Sequence, residues 1–427
     1  MGSINKKNVL IFPAGSSMDT YKALKDNIHF NVFGASGRSD HSEYIYSHGQ
    51  IYISEHLYIT DKNFIREFNA LIEKWQIDFV IPTHDTIARF LMENEKSINA
   101  RIICSPYETA LIAENKKLIY ESVKNCSYCP EIYNYNNIKY PAFLKPFIAA
   151  GGKGTALIKC EDDLKFFAAN NKNFLLCEYL PGREYTVDCF TDSRRNLLFT
   201  GPRTRERITN GISYHSERVK LTDEIYNIAE DLNTRFIFRG SWFFQLKEDI
   251  NHNLKLMEFS VRNSGTQTFW RHLGVNFPLL SLFDFMGYDV KILCSDLNIT
   301  LDRGIETLFR IPYDYECAYI DYDDTLIING QVNTDLMKYI YQCINEGIKL
   351  ILLTAHEGDI YESMNSHRIS PDLFDEIITI KPGTRKSNYI HGSKAIFIDN
   401  YFPERLDVSQ KINIPVFDVD AFQCLIK

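Results

Sequence analysis

The sequence lacks any long apolar run. No stretch of about 18 consecutive apolar residues occurs in its 427 positions, which argues against a membrane-spanning helix. It also lacks a basic excess, because 47 Lys and Arg face 55 Asp and Glu and the net charge is -8. Nucleic-acid binding depends on clustered Lys and Arg, so we expect no such partner. Met1–Lys7 leads straight into a strand-like run without the hydrophobic region of a signal peptide, and we expect a cytoplasmic protein.

Paired cysteine motifs are scarce as well. The ten cysteines are scattered through apolar runs, as expected for reduced thiols. Cys126 and Cys129 form one Cys-x-x-Cys pair with no second pair near it, which favours a loop with two thiols over a zinc or redox site. The sequence shows no internal repeat and no low-complexity tract. With 45% apolar and 24% charged residues, it is typical of a globular chain of roughly three domains.

Residues 1–105 are predicted to form a doubly wound α/β domain. Strand-like apolar runs occur at Asn8–Pro13 and Asp78–Pro82, and a helix with regularly spaced apolar residues is predicted at Asn63–Trp75. Alternation of strands and helices indicates a parallel sheet with helices on both faces. The strand-to-helix turn near Thr83 lies at the edge where such sheets bind ligands.

Residues 106–300 have an α+β pattern in which short strands follow one another quickly. A helix predicted at Ala113–Val123 carries Lys116, and the strand Phe143-Leu144-Lys145-Pro146 ends in a second lysine. A glycine-rich turn follows, with Gly151, Gly152, Lys153, Gly154 and Thr155. Small residues let backbone N–H groups approach phosphate oxygens, and a nearby ammonium adds charge. Such a turn either binds phosphate or is a plain hairpin, and it is not a Walker loop because no helix follows it.

Acidic and amide side chains further along supply possible nucleotide and metal ligands. Glu178 and Glu184 flank a strand-to-strand hinge, where two carboxylates can hold an adenine amine and a ribose hydroxyl. Gln245 and Glu258 lie on successive strands, and Arg262 follows them. Oxygen ligands on adjacent antiparallel strands can bridge magnesium to the β- and γ-phosphates of ATP.

This ordered set resembles the ATP-grasp superfamily, most closely its carbamoyl-phosphate-synthase-like carboxylate–amine ligases. The resemblance covers about residues 5–300 and implies that the first domain is the usual pre-ATP-grasp domain. It implies that Lys116 and Lys145 bind the ATP phosphates and that the flexible turn Gly151–Thr155 lies over them. It further implies that Glu178 and Glu184 hold the nucleoside.

The same resemblance implies a metal site and two anion contacts. Gln245 and Glu258 would bind Mg²⁺, with Mn²⁺ as the substitute, and Arg262 would steady the transferring phosphoryl or acyl group. The family's Glu-x-Asn-x-Arg motif has Ser260 in place of the asparagine, and serine is the weaker magnesium ligand. Arg203 and Arg205 are predicted to pair with an anionic substrate.

Residues 315–427 are predicted to form another doubly wound unit. An apolar strand leads into Asp321-Tyr322-Asp323-Asp324-Thr325-Leu326. Carboxylates at i and i+2 leave a strand on the same side and can converge on one magnesium ion and one phosphate. One carboxylate can attack phosphorus, and the other can protonate the leaving oxygen and later activate water. Because two close carboxylates repel each other, a divalent cation is needed.

Here the chain resembles the haloacid dehalogenase (HAD) superfamily of phosphatases. The resemblance implies that Asp321 is the nucleophile, that Asp323 is the acid/base, and that both bind the metal together with Asp399. It implies a phosphate-binding hydroxyl at Thr354 and a phosphate-steadying lysine at Lys386, for which Lys381 is the competitor. The family often has a second acid directly after the metal-binding aspartate, where this chain has Asn400, and the Asn400 carbonyl or Glu404 would substitute for it. The short gaps between the motifs leave room for little or no cap, which suits a large substrate.

These patterns predict a bifunctional enzyme. An ATP-dependent ligase would join small-molecule carboxylate and amine substrates, and a C-terminal phosphatase would act on a phosphate ester. The ligation product itself is one candidate for this ester. The enzyme would act in surface-polysaccharide or small-metabolite biosynthesis. By analogy with such ligases, a homodimer is also predicted. The alternative is a nucleotide-binding sensor or scaffold with one or both domains catalytically inactive.

Overall fold

The computed structural model describes residues 5–16, 18–39, 44–47, 49–149, 151–169, 173–209, 211–304, 307, 309 and 311–427. The chain divides into two compact units, Met1–Glu306 and Thr307–Lys427, and each has its own hydrophobic core. Within these described ranges, no helix combines the length and apolar character that crossing a membrane requires.

The first unit begins with the predicted parallel sheet. In chain order its elements are β1 (Lys7–Phe12), α1 (Met18–Leu24), β2 (Phe30–Ser36), β3 (Ile51–Ile53), α2 (Phe64–Trp75), β4 (Phe79–Pro82), α3 (Asp85–Glu93) and β5 (Arg101–Ile102). The five strands are parallel in the order β3-β2-β1-β4-β5. The crossovers run in opposite directions on the two sides of β1. The carboxyl ends of β1 and β4 therefore form a switch point, where sheets of this kind bind ligands.

The predicted helix Ala113–Val123 is wrong, because two helices meet there. These are α4 (Tyr107–Glu114) and α5 (Lys116–Val123), separated by Asn115 in an extended conformation. The side-chain oxygen of Asn115 accepts a hydrogen bond from the backbone N–H of Lys117 at 3.0 Å. An asparagine that caps a helix in this way starts a new helix instead of continuing the old one. Lys116 consequently becomes the first residue of α5.

A small antiparallel sheet carries the second lysine and the glycine turn. Its elements are β6 (Ile132–Tyr133), β7 (Ala142–Pro146), β8 (Ala156–Ile158), α6 (Glu161–Ala169) and β9 (Phe174–Glu178). The strand order is β6-β9-β7-β8. Lys145 lies on β7, the glycine turn joins β7 to β8, and Glu178 is the last residue of β9.

A larger antiparallel sheet completes the first unit. The elements are β10 (Glu184–Thr191), β11 (Leu197–Thr204), β12 (Glu206–Thr209), β13 (Ile212–Glu217), α7 (Asp223–Arg235), β14 (Gly240–Glu248), β15 (Leu254–Ser260), α8 (Thr268–Arg271), α9 (Phe277–Phe285) and β16 (Thr300–Asp302). The large sheet has the order β11-β10-β14-β15, and β12-β13-β16 form a separate three-stranded sheet. Sequence periodicity did not predict the second of these.

The second unit is a parallel five-stranded sheet between two apolar cores. Its elements are β17 (Cys317–Ile320), β18 (Ile327–Ile328), β19 (Gln331–Val332), α10 (Thr334–Glu346), β20 (Lys349–Thr354), α11 (Ile360–Ser366), β21 (Glu376–Thr379), β22 (Ala395–Ile398), α12 (Phe402–Ile412) and β23 (Val416–Phe417). The strand order is β21-β20-β17-β22-β23. Alternate residues of each strand enter opposite cores, as in a sheet covered on both faces. The carboxyl ends of β17, β20 and β22 are neighbours, with the hairpin β18–β19 following the first of them.

Candidate functional site

A row of polar side chains crosses the large sheet of the first unit. Gln245 on β14 stands opposite Thr186 on one side and Glu258 on the other. Arg203 on β11 completes the row, opposite Thr186. Directly opposite residues on antiparallel strands share a face, so all four side chains leave the sheet on one side. The next positions along the strands belong to the other face and to the core, namely Val187, Phe244 and Phe259.

Lys116 reaches this row from the start of α5. Its Nζ lies 2.9 Å from Oε2 of Glu258 and donates to the backbone carbonyl of Ala149 at 3.0 Å. Burial by itself raises the pKa of Glu258, but the charge and hydrogen bond of Lys116, together with the charges of Arg205 and Arg262, outweigh burial and hold the pKa below its ordinary value. Glu258 is therefore a carboxylate at neutral pH, the form that binds a cation.

The donors beside Lys116 fit a hard divalent cation. Glu258 offers a carboxylate and Gln245 an amide carbonyl on the adjacent strand, and Mg²⁺ and Mn²⁺ prefer such oxygen ligands. No cluster of three or more His, Cys, Asp or Glu with metal-binding geometry occurs in the part of the chain that the structure describes. A cation here would thus depend on phosphate oxygens for the rest of its coordination, which is the usual way that Mg²⁺ binds with nucleotides.

The second predicted lysine is held by a tyrosine that sequence reasoning missed. Lys145 is buried at the end of β7, and its Nζ donates a hydrogen bond to the hydroxyl of Tyr120. That hydroxyl donates in turn to the carbonyl of Met257 at 2.9 Å, the residue before Glu258. Tyr120 lies four residues after Lys116 on α5, and this i, i+4 spacing was the available sequence signal.

The glycine turn has a backbone conformation that only glycine adopts easily. Gly151, Gly152 and Gly154 have φ angles of 67°, 70° and 73°, which glycine tolerates best. The Thr155 hydroxyl donates to the carbonyl of Gly152 at 2.8 Å, and Lys153 is exposed. A Cβ atom at Gly211, in the hairpin between β12 and β13, would lie only 2.5 Å from Cα of Gly151. The turn therefore packs backbone to backbone against that hairpin.

The two acids of the hinge are both engaged by neighbours. Glu178 accepts a hydrogen bond from the backbone N–H of Glu131 at 3.0 Å. Glu184 pairs with Arg205, whose Nε lies 2.7 Å from its Oε1. Arg205 also donates to the carbonyl of Gly211 at 2.9 Å. Arg205 thus ties Glu184 to the hairpin that touches the glycine turn, and in this position its contact with a substrate anion remains a proposal.

Arg203 requires a correction. Its side chain is 1% exposed, and its guanidinium donates to Asp188 at 2.7 Å, to Ser216 at 3.3 Å and to Ser264 at 3.0 Å. With its donors turned toward these buried partners, it is not presented to a ligand. The predicted contact between Arg203 and an anionic substrate does not fit this environment, and the residue belongs to a structural ion pair.

Replacing Arg203 by methionine is expected to destabilise the first unit by about 3 to 5 kcal/mol, because Asp188 would keep a buried charge without its partner. Denaturant unfolding followed by tryptophan fluorescence measures the change. Lys165→Met is the control, since its ion pair with Glu161 is 66% and 71% exposed and is expected to contribute less than about 1 kcal/mol. Equal effects of the two substitutions would contradict this interpretation of Arg203.

Asp85 links the end of β15 to the parallel sheet, and it too was missed. It is the first residue of α3, at the end of the short turn that follows β4 at the switch point. One of its carboxylate oxygens accepts from the hydroxyl of Ser260, and the other accepts from Nε of Arg262 at 3.0 Å. Ser260 stands where the family motif has asparagine, and its hydroxyl is therefore used in a hydrogen bond to Asp85. The turn near Thr83 pointed to the right place in the sheet without identifying the residue.

The second unit buries a charged cluster at the carboxyl ends of β17 and β22. Nζ of Lys386 lies 2.5 Å from Oδ1 of Asp321 and 2.6 Å from Oδ2 of Asp399. Burial raises the pKa of both carboxyls, although the charge of Lys386 opposes that shift. The competitor Lys381 is exposed, so the structure brings Lys386 to the acids instead. Two buried acids around one ammonium leave a net negative charge, which favours a cation.

Thr354 adds a hydroxyl without a partner to this end of the sheet. It is the last residue of β20, beside β17, and its Oγ1 is buried with no hydrogen bond to the residues that the structure describes. A buried hydroxyl left unpaired costs roughly 1–3 kcal/mol, so each instance calls for an explanation. A phosphate oxygen bound between Thr354 and Lys386 would supply the missing partner, and the donor set fits both phosphate and a divalent cation.

Asp323 is more exposed and contacts a histidine that the sequence analysis did not single out. Nδ1 of His356 lies 2.9 Å and 3.0 Å from the two carboxylate oxygens of Asp323. The histidine ring also packs against Tyr322, with ring centroids 5.3 Å apart. His356 follows Thr354 by two residues, and its place in that strand-end turn was the only signal in the sequence.

The two substitutes suggested for a second acid have other partners. The side-chain oxygen of Asn400 accepts from the Thr325 hydroxyl at 3.2 Å, and its backbone N–H donates to the same hydroxyl at 3.0 Å. Glu404 accepts from the backbone N–H of Lys386 at 2.9 Å and from Arg385 at 3.1 Å. Glu404 therefore holds the turn that carries Lys386, and Asn400 holds the turn that follows Asp321.

Comparison with known families gives a match within the first unit. Residues 170–299 match a family described as ATP-grasp in the biosynthetic pathway with Ter operon. A 104-residue segment is 29% identical to a D-alanine–D-alanine ligase of Petrotoga mobilis, covering 22% of this chain. The matched segment spans only 35% of that ligase.

Solved structures give the same result for the fold. A biotin carboxylase of Campylobacter jejuni, in complex with β,γ-ATP, aligns with a TM-score of 0.56 at 16% identity over 68% of this chain and 73% of its own. An N5-carboxyaminoimidazole synthetase of Staphylococcus aureus with ADP aligns at 0.54 and 14% identity, covering 69% and 79%. An L-amino acid ligase of Bacillus licheniformis aligns at 0.53 and 13% identity, covering 65% and 73%. Together these findings establish that the chain contains an ATP-grasp fold.

Proposed function

We propose that the first unit is an ATP-dependent carboxylate–amine ligase that forms an amide through an acyl phosphate. The observation that carries the proposal is the contact of Lys116 with Glu258, beside Gln245, on the sheet of an ATP-grasp fold. A D-alanine–D-alanine ligase and an L-amino acid ligase among the similar proteins favour amino-acid-like substrates.

Glu258 and Gln245 would hold the magnesium ion together with the ATP phosphates. When bound, the ion supplies positive charge that offsets the charge of the phosphoryl group in transfer. Glu258 is suited to this because its low pKa keeps it ionised. Lys116, which pairs with Glu258 in this structure, would then turn its charge toward the phosphates.

The proposed reaction has two steps. A carboxylate oxygen of the substrate attacks the γ-phosphorus, the bond to the β,γ-bridging oxygen breaks, and ADP leaves. The amine nitrogen then attacks the acyl carbon, the bond from that carbon to the phosphate oxygen breaks, and inorganic phosphate leaves with the proton that the amine loses. Lys116 and Lys145 would hold the phosphates in fixed geometry, where electrostatic stabilisation acts without reorganisation. Arg262, oriented by Asp85, would steady the transferring group, and the glycine turn would exclude water from the acyl phosphate.

Release of ADP over a panel of carboxylic acids and amines tests the ligase proposal. We expect release that requires both an acid and an amine, with amide formation detected by mass spectrometry in equal amount. A binding-only sensor or scaffold would bind ATP without turnover for any pair. Binding without turnover across a broad amino-acid panel would favour that alternative.

Replacing Gly211 by alanine is expected to weaken ATP binding roughly tenfold, because the added Cβ would overlap the backbone of Gly151 and displace the glycine turn. Isothermal titration with a nonhydrolysable ATP analogue measures the effect. Gly287→Ala is the matched control, since Gly287 also has a positive φ of 90° but no atom within 4 Å of the added Cβ. If both variants bind the analogue equally, the turn does not act on the nucleotide.

A second activity is favoured by the unpartnered hydroxyl of Thr354 beside the buried cluster of Asp321, Lys386 and Asp399. We propose that the second unit is a HAD-type phosphomonoester hydrolase. Asp321 and Asp399 would hold the magnesium ion with the phosphate, and Asp323 is the third expected ligand. Thr354 and Lys386 would bind the phosphate oxygens.

In the proposed hydrolysis, Oδ of Asp321 attacks phosphorus and the ester oxygen leaves with a proton from Asp323. Asp323 then takes a proton from water, whose oxygen attacks the aspartyl phosphate and releases inorganic phosphate. His356, at 2.9 Å from Asp323, would keep that side chain at the mouth of the site. From residue 311 onward every residue is described, and only the short hairpin β18–β19 and α10 lie between β17 and β20, so a large ester fits.

We also propose that the two activities act in sequence within one chain: the amine substrate enters the ligase as a phosphate ester, and the phosphatase removes that phosphate after the amide has formed. A tether raises the effective concentration of the product at the second site. The test compares kcat/KM of the full chain for the phosphorylated amide with values for unrelated phosphate esters. Preference for the amide supports the order, whereas equal rates for all esters contradict it.

A further inference from the structure

Tyr120 stands between the groups assigned to the ATP phosphates. It shares one face of α5 with Lys116, four residues before it. Its hydroxyl meets Nζ of Lys145 from the small sheet and the carbonyl of Met257 from the large sheet. One phenol therefore joins the two sheets that carry the nucleotide-binding side chains, and it does so next to Glu258.

The hydrogen-bond directions at this phenol are fixed. A tyrosine hydroxyl has one hydrogen to donate and lone pairs to accept with. The hydrogen goes to the carbonyl of Met257 at 2.9 Å, because a carbonyl can only accept. Burial raises the pKa of Tyr120 well above its usual range, so the proton stays on the phenol. The lone pairs remain for the ammonium of Lys145, which can only donate.

Within the described ranges, Lys145 has more N–H donors than hydrogen-bond partners. An ammonium carries three N–H groups, and the Tyr120 hydroxyl is the one hydrogen-bond partner recorded for Lys145 within the described ranges. The same ring lies under the ammonium, with its centroid 4.5 Å from Nζ. A buried ammonium that has a neutral partner and unused donors suits an anionic ligand, because a carboxylate partner would have neutralised it already.

We propose that Tyr120 is a positioning residue for nucleotide binding. Its hydroxyl holds the Lys145 ammonium in a fixed position relative to Glu258, so that the free N–H groups of Lys145 point at the phosphates. The inference rests on the proposed nucleotide site. It adds a specific role for a hydroxyl: the group that touches phosphate is Lys145, and Tyr120 acts through it.

Tyr120→Phe tests the role, since it keeps the ring in the core and removes the hydroxyl alone. We expect the Kd for Mg²⁺-ADP, measured by isothermal titration, to rise roughly tenfold, the order expected for one hydrogen bond to a charged group. The KM for ATP should rise by the same factor while kcat stays within about twofold, because this lysine would bind ground state and transition state alike. Tyr128→Phe is the control, as it removes another buried hydroxyl, bonded to Asp231, from the same domain.

A double-mutant cycle separates positioning from general destabilisation. If Tyr120 acts through Lys145, adding Tyr120→Phe to Lys145→Met should change the Kd by less than about twofold. A tenfold loss in both backgrounds, or an equal loss in Tyr128→Phe, would overturn the inference as a mere effect on folding. Unchanged binding in Tyr120→Phe, with wild-type binding intact, overturns it as well. Absence of nucleotide binding in the wild type is a different outcome, which would refute the proposed ligase site itself.

Discussion

Asp321→Asn is expected to abolish phosphate release from every ester that the wild-type chain hydrolyses, by a factor on the order of 10⁴ or more. An amide oxygen does not attack phosphorus as a carboxylate does, so the aspartyl phosphate would not form. The fold should persist. Burial raises the pKa of Asp321, which means that its charged form destabilises the second unit when no metal is bound, and asparagine removes that charge. We expect a thermal midpoint equal to that of the wild type or higher in metal-free buffer.

The matched control for this prediction is Asp324→Asn, three residues away in the same turn. Asp324 is exposed and has a φ of 54°, a conformation that asparagine also adopts readily. It should retain most of the activity. Phosphate release measured with malachite green, using Mg²⁺ and a panel of esters, distinguishes the two variants. Equal activity of Asp321→Asn and Asp324→Asn would remove Asp321 from the proposed nucleophilic role.

Glu258→Gln is expected to reduce acid- and amine-dependent ADP release by roughly 10²- to 10³-fold, the size of effect found when one preorganised electrostatic group is removed. The substitution keeps the shape of the side chain and removes its charge. Glu258 is the one carboxylate in the proposed ligand pair, and its contact with Lys116 at 2.9 Å holds it ionised. At ATP concentrations below its KM, Lys145→Met should slow ADP release roughly tenfold or more through a higher KM for ATP, because it removes a buried ammonium that binds the phosphates in ground state and transition state alike.

Lys255→Met serves as the control for both ligase variants. Lys255 also lies on β15, and its ammonium donates to the carbonyl of Ser127 at an exposed position. It should leave ADP release unchanged. Coupled pyruvate kinase and lactate dehydrogenase report the rate continuously. If Glu258→Gln and Lys145→Met release ADP as fast as Lys255→Met, the assigned nucleotide site is not the catalytic one.

Local patterns in the sequence predicted the two parallel sheets because buried strands and amphipathic helices leave a clear periodicity. They also predicted which residues end a strand, such as Thr354, and which directly follow one, such as Asp321 and Asp399. The order of strands then explains why residues so far apart in sequence meet, since the carboxyl ends of neighbouring parallel strands share one edge.

These local patterns could not predict contacts between segments that are distant in the sequence. The polar environment of Arg203 is made by Asp188, Ser216 and Ser264 from three separate segments, so nothing near Arg203 in the sequence marks it as buried. Asp85 similarly meets Arg262 across 177 positions. The break at Asn115 is the exception, because its cap is a local interaction. The sequence analysis missed this break because apolar residues continue at helical spacing through Ala113–Val123.

The central claim is that one triphosphate joins side chains from α5, β7, β14 and β15, and a crystal structure with Mg²⁺ and a nonhydrolysable ATP analogue tests it most directly. We predict phosphate oxygens within hydrogen-bonding distance of Nζ of Lys116 and Lys145, and a metal ion that touches both Glu258 and the phosphates. A nucleotide bound elsewhere, with these three side chains arranged as they are without it, would contradict the account.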